Sequence, residues 1–433
     1  MANLRHLRHL SAVALATPLL LMAAAACSSG SPAPPPTQPP GKPAAATSAP
    51  AASSSTAGPT QGSTAAPAAA SSGTQPATGG EIRMGAGLNI TGPTASQGAL
   101  FRKAIDLAVN QINSSGGING KKINMFIEDN QSTNPGALAA LNKNIEQDKV
   151  LVEIGPVLST QVQAISDADK QAGVPIATGG TAVKNTHMGN PWLFRMRPDD
   201  SVAAAVMVQF IKDDLKLTKV GIVHDSDAFG TGGAQLVEQY SKDNGLTVVR
   251  NESYTADSKD YSAQLLALKN AGAEVMVVYA TRPEDAALIE RQYHDLGVPY
   301  KYLGSPSSAE VDTLALSKDA ASGIYAVVDF VLGQTDVSKA YVDAYTKAYN
   351  SAPDALSAWN YDAVYLFANA IKSVGEDRSA IMKYILGTHG WQGVCGTYDF
   401  TPNGDGLHSN SVVQVQPGGE LKFLKVVTIK PQP

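Results

Sequence analysis

Two cysteines are all that this 433-residue chain contains, Cys27 and Cys395. No C-x-x-C pair can be written with them, and H-E-x-x-H is missing too, so the common zinc patterns are excluded. If Cys27 is used elsewhere, no intrachain disulfide is possible and the fold must be held by its core. Charge is sparse: 33 Lys and Arg stand against 38 Asp and Glu, a net of −5. A mildly acidic chain argues against nucleic acid as a partner.

Nucleotide and hydrolase signatures are absent as well. "INSSGGINGKKI" (residues 112–123) has the glycines of a phosphate loop but not its spacing. Ser115 stands where the first glycine belongs, and Lys122 stands where Ser or Thr would hold magnesium. The order of elements is also reversed, because "LFRKAIDLAVNQIN" before it has helical apolar spacing and "KINMFIED" after it reads as a strand. The stretch therefore predicts a helix stop, a turn and a strand. "GAGLNI" misses the dinucleotide fingerprint, with Ile90 at the third glycine, and no G-x-S-x-G elbow occurs. His224, Asp225 and Asp227 could bind a metal, but three polar residues at a strand end more often cap a loop. His187, His294, His389 and His408 are scattered, with no serine paired to them. Trp359, Tyr361 and Tyr365 lie on a helical stretch and read mainly as core, with Trp359 near enough to its start to reach a cleft.

What is present begins with a basic start, Arg5 and Arg8, then an apolar run to Ala26, then Cys27. This reads as a secretory signal over residues 1–27. It resembles a lipobox: Ala25 and Ala26 are small, with Ala24 where leucine is commonest. An ordinary signal peptide cut after an alanine is the alternative. Residues 28–80 are almost uncharged Pro, Ala, Ser, Thr and Gly, which cannot bury enough apolar surface to fold. They read as a disordered tether with a reach of roughly 40 Å. Acyl chains on Cys27 would anchor it to the outer face of a bacterial cell membrane.

From residue 81 short strands alternate with amphipathic helices, and the alternation restarts near residues 197–200. That pattern predicts an α/β fold of two lobes, each a doubly wound parallel sheet. Ligands of such sheets sit beyond the carboxyl ends of the strands. Here those ends carry "NITGPTASQG", "IGPVLSTQ", "IATGGTA", "HDSDAFG", "YATRPE" and "LGSPSS", rich in hydroxyls and in amides at helix starts. They suit a small anion such as a carboxylate and offer no nucleophile with a base.

Together with "AVNQINSSGGINGKKI" and "WNYDAV", these loops resemble the type I periplasmic binding proteins of the branched-chain amino acid (leucine/isoleucine/valine) transport family, from residue 81 to about 400. The resemblance implies two lobes joined by a three-strand hinge that closes on ligand. It assigns residues 81–198 plus 329–410 to lobe one and 199–328 plus 411–433 to lobe two. It implies a non-enzymatic, monomeric solute-binding lipoprotein without cofactor or metal, feeding a small amino-acid-like or carboxylate-bearing molecule to the permease subunits of an ABC importer. A sensory receptor domain of the same fold, working with a separate signalling partner, is the alternative; an enzyme comes third. The carboxylate grip of the family falls on Ser159, with Thr160 beside it, Gly179 and Thr181. The pocket wall falls on Gln97, Phe229, Thr281 and Trp359, with Phe229 where the family often has tyrosine. The family's carboxylate for the ligand ammonium falls near Pro306, which has no charge. Either another acid takes over, with Asp227, Glu284 and Glu310 nearest along the chain, or the ligand has no α-ammonium. The missing charge at Pro306 favours the second.

Overall fold

The computed structural model describes residues 80–430. The signal segment with Cys27 and the tether up to residue 79 lie outside the described residues. Strand β1 (Glu81–Leu88) points Ile82, Met84, Ala86 and Leu88 into the core shared with helix α1 (Ala95–Ser114). Its other face carries Gly85 and Gly87, because the Glu153 side chain fills that space: a Cβ on Gly85 would lie 1.9 Å from a Glu153 carboxylate oxygen. After α1 the chain turns through Gly116 (φ 102°), Gly117 (φ 79°) and Gly120 (φ 80°) into β2 (Lys122–Asp129). The helix stop, turn and strand are as the spacing predicts. A Cβ on Gly117 would meet the Lys121 carbonyl oxygen at 2.0 Å, so this glycine is required twice over, by conformation and by space.

Helix α2 (Asn134–Glu146), β3 (Val152–Ile154), α3 (Ser159–Ala172), β4 (Ile176–Thr178) and β5 (Leu193–Pro198) complete the first run. The chain then leaves this sheet. Asp199 caps the next helix, its Oδ1 accepting the Ser201 and Val202 amides at 2.7 and 3.1 Å. That helix, α4 (Asp200–Gln209), widens to π geometry over Phe210–Asp214. It leads into β6 (Lys219–Asp225), α5 (Ala228–Asp243), β7 (Thr247–Tyr254), α6 (Ser262–Asn270) and β8 (Val275–Tyr279). Next come α7 (Pro283–Asp295), β9 (Lys301–Gly304), α8 (Val311–Ser317) and β10 (Tyr325–Val328). The chain returns to the first lobe for α9 (Asp336–Tyr349), α10 (Ala358–Val374) and α11 (Arg378–Leu386). The short hairpin β11 (Trp391–Gln392) and β12 (Thr397–Tyr398) and strand β13 (Asp405–Leu407) follow. It crosses a third time at His408 into β14 (Ser409–Val415) and β15 (Leu421–Thr428).

Two main sheets result, of order β13-β5-β4-β3-β1-β2 and β15-β14-β10-β9-β8-β6-β7. The first is parallel throughout; the second ends in β14 and β15, which run antiparallel. Each sheet is covered on both faces, which is why its inner strands, such as "VMVVY" of β8, are apolar without alternation. Strand order reverses beside β1 in the first sheet and beside β6 in the second, so the carboxyl ends there open crevices.

Among the described residues, several buried carboxyl groups form no salt bridge. Glu153 is buried and accepts only the Asn144 amide nitrogen, at 2.9 and 3.0 Å. Burial pushes its pKa well above the ordinary value. Burial likewise raises Asp169, Asp200 and Asp225 to about 7 and Glu290 and Glu310 to about 8. A carboxyl whose folded pKa lies above its unfolded value binds a proton that the unfolded chain has lost. Its contribution is full below the unfolded pKa and is lost as pH rises through the folded one. Melting temperature should therefore climb as pH falls from 8 to 5. Glu153→Gln keeps the shape and removes one titration, so it should melt higher than the parent at pH 8 and level with it at pH 4. Scanning fluorimetry across that range checks this; a variant with the parent's difference between pH 8 and pH 5 would contradict the assignment.

Candidate functional site

The carboxyl ends of both sheets converge on one cavity of about 410 Å³, mouth included. From the first lobe come Gln97, Val157, Leu158, Ser159, Thr181, Arg197 and Leu356; from the second come Phe229, Ala280, Thr281, Pro306, Ser307 and Glu310.

One end of the cavity can receive an anion. Helix α3 begins at the cavity with Ser159, and no side chain caps it, so its dipole and first amides favour negative charge there. The Ser159 Oγ accepts the Ala182 amide at 3.1 Å, which leaves its own hydrogen free to donate outward. Thr181 sits beside it in the loop after β4. Its carbonyl accepts the amide of the buried Asp200 at 2.9 Å, and burial raises the Asp200 carboxyl to about 7.

The loop that presents Thr181 is fixed from beneath by Arg195. This guanidinium is wholly buried. It donates to the carbonyls of Gly180, Thr181, Ala182 and Val183, to the Thr186 hydroxyl and to Asp405. No sequence motif pointed to it. The available signal was a pair of arginines, Arg195 and Arg197, inside the short strand "LFRMRP".

The opposite pole is Glu310, 8% exposed. Its Oε2 accepts Gln97 Nε2 at 2.8 Å, a hydrogen bond that joins the two lobes. Burial, then the neighbouring Asp354, push its pKa up to about 8. Arg197 also lines the cavity, but its Nε donates to Asp329 and its Nη1 to the Gly179 carbonyl at 3.0 Å.

Of the residues expected at the site, Gln97, Ser159, Phe229 and Thr281 reach the cavity together with Thr181. Thr160, Gly179 and Trp359 do not line it. Thr160 is half-buried on the next position of α3. The Gly179 amide is engaged by the Pro156 carbonyl at 3.2 Å, which keeps it in the sheet edge. Trp359 is 1% exposed, edge-to-face with Phe101, and lies behind Gly179, where a Cβ would come within 2.5 Å of its ring. It supports the floor from below.

Among the acids considered for an ammonium, Asp227 caps α5, accepting the Gly230 amide at 2.8 Å, and accepts the Thr281 hydroxyl at 2.8 Å. Together with His224, whose Nδ1 meets the Asp225 carbonyl at 2.6 Å, it serves its own loop. Glu284 is exposed beside Arg282. Only Glu310 of the three lines the cavity. Arg197, Leu356 and the Val157–Leu158 wall went unnoticed in the sequence, because their inward direction depends on how the two lobes meet.

The family described as periplasmic binding protein matches residues 81–420. A leucine-, isoleucine-, valine-, threonine- and alanine-binding protein of Pseudomonas aeruginosa is 29% identical, over 73% of this chain and 84% of that one. The branched-chain amino acid transporter substrate-binding protein of Streptococcus pneumoniae, solved in complex with isoleucine, superposes with a TM-score of 0.74 at 25% identity, over 81% of this chain and 100% of that one. A solute-binding protein of an ABC transporter from Rhodopseudomonas palustris, in complex with 3,4-dihydroxybenzoic acid, has a TM-score of 0.73 at 20% identity, over 80% and 97%. These relatives are binding proteins and not enzymes.

Proposed function

We propose that this chain, which belongs to the periplasmic binding protein family, captures a small amino acid in its zwitterionic form and hands it to an ABC importer. One observation carries this reading: a single cavity is lined by Ser159 at a helix start and Thr181 from one lobe and by a carboxyl group, Glu310, from the other. The placement of Glu310 turns the balance set by Pro306 back towards a ligand with an ammonium. The apolar wall of Val157, Leu158, Phe229 and Leu356 fits an aliphatic or aromatic side chain. The named ligands of the Pseudomonas and Streptococcus relatives support the same class.

Anchoring through Cys27 would keep the binder beside its importer, and no helix among the described residues is long and apolar enough to cross a membrane. A benzoate-like acid, as held by the Rhodopseudomonas protein, is the alternative occupant. Pro306 favours it, offering neither charge nor an amide hydrogen.

A thermal-shift panel pairing leucine, valine and phenylalanine with their 2-oxo counterparts decides between them. Ligand at a hundred times its dissociation constant adds about 2.7 kcal/mol of stability. Stabilisation by the 2-oxo acids alone would refute the amino acid reading. Ser159→Ala and Thr181→Ala should each weaken the bound solute roughly ten- to a hundredfold, the worth of a hydrogen bond to a charged group. Unchanged affinity in both variants would move the anion pole elsewhere.

A further inference from the structure

We propose that Glu310 exchanges its proton for the ligand's ammonium, so that capturing a solute with a cationic head releases a proton and capturing its uncharged-headed counterpart does not. The inference rests on the amino acid reading of the cavity and adds a mechanism of selection to it.

Among the described residues, the surroundings of Glu310 supply no unpaired cation. From α1 it receives one neutral donor, Gln97 Nε2. From the segment before α10 comes Asp354, itself buried and raised by burial, whose Oδ2 accepts the Val311 amide at 3.2 Å. Its own helix α8 adds Asp312, another negative charge. The one positive group within reach is Arg197 at the end of β5, and that guanidinium is paired with Asp329. A buried carboxyl with one neutral donor and two acidic neighbours keeps its proton near neutral pH. The raised value of about 8 agrees with this.

An arriving ammonium reverses the balance. An unpaired carboxylate in this place is costly, but one facing a cation at hydrogen-bond distance is not. The Glu310 O–H bond breaks, its proton passes to buffer, and an ammonium N–H donates to the carboxylate left behind. The neutral acid can instead donate its own O–H to a ketone or amide oxygen at the same position, with no proton released. The cavity thus admits both head groups, and pH sets the preference between them.

Linkage fixes the size of the effect. With a pKa of about 8 in the free protein, affinity for an amino acid should fall about tenfold per pH unit below that value, and about fiftyfold from pH 8 to pH 6. Affinity for the 2-oxo counterpart should hold or rise. Titration calorimetry of the full chain with leucine at pH 7, in buffers of different ionisation enthalpy, should count close to one proton released. The same titration with the 2-oxo acid should count none. Glu310→Gln keeps the Gln97 contact and the volume; it should release no proton and lose the pH dependence. Asp354→Asn removes one negative neighbour and should move the transition to lower pH. Leucine that binds with no proton released, or a Glu310→Gln variant that keeps the parent's pH profile, overturns the exchange and leaves the amino acid reading standing. Binding by 2-oxo acids alone overturns that reading and the exchange with it.

Discussion

Arg195→Met should lower the melting temperature by roughly ten degrees and weaken solute capture in the same variant. The guanidinium is 0% exposed and its Nε meets Asp405 at 2.7 Å. Removing one partner of a buried ion pair leaves the other without compensation, at about 3–5 kcal/mol. At a few degrees per kcal/mol for a lobe of this size, the shift is large. The loss of capture has a separate cause. Four consecutive carbonyls, from Gly180 to Val183, all accept from Arg195. Without that clamp the Thr181 hydroxyl, one side of the anion pole, is no longer held in place, although Arg195 does not line the cavity. A surface pair supplies the control: Arg102 and Asp106, both exposed at i and i+4 on α1, should tolerate Arg102→Met with little change. An Arg195→Met protein that melts within a degree or two of the parent would refute the clamp. Full affinity at 20 °C would show that the loop keeps its shape without it.

The contrast between Arg195 and its neighbours marks where sequence reasoning succeeds. "KVGIVHD" and "KINMFIED" coincide with β6 and β2, because period and turn chemistry are local. "VLVEIGP" yields only the three residues of β3, as its neighbour β4 is itself three residues long. Ser159 and Thr181 lie on strand-end loops rich in hydroxyls, and the family resemblance singled them out there. Gly179 and Trp359 could be placed near the site but not in their roles. Whether a Trp faces a cleft or stands behind a glycine is decided by the packing of α10 against the first sheet. Glu310 follows a run of small residues with no pattern of its own. Only the meeting of α1 with the segment before α8 brings it to Gln97, 213 residues away. The π turn at Phe210–Asp214 had no signal at all, as "QFIKDDL" reads as ordinary helix.

Asp329→Asn should all but abolish amino acid capture and destabilise the protein by about 3–5 kcal/mol, the cost of breaking a buried pair. Asp329 follows β10 directly, where the chain crosses back to the first lobe, and Arg197 is the last residue but one of β5, where it first leaves. Their ion pair ties two crossings together, with 9% and 8% of the side chains exposed. Asn410 Nδ2 reaches the Val328 carbonyl at 3.1 Å and adds the third crossing to the same knot. In Asp329→Asn the Arg197 charge keeps its burial and loses its partner. Glu310 shares the cavity with it. Glu310 then gives up its proton to pair with Arg197, and the ammonium acceptor is consumed within the protein. Leucine should lose at least a hundredfold in affinity, while its 2-oxo counterpart, which needs no carboxylate, should lose much less. The proton released on binding should vanish, because Glu310 is already ionised. Replacing both partners, Arg197→Met with Asp329→Leu, removes the stranded charge and should recover much of the lost stability. It should also restore proton release with whatever leucine binding remains. If Asp329→Asn binds leucine and its 2-oxo acid in the parent's ratio, Arg197 does not answer to Glu310, and the pair at the hinge serves the crossings alone.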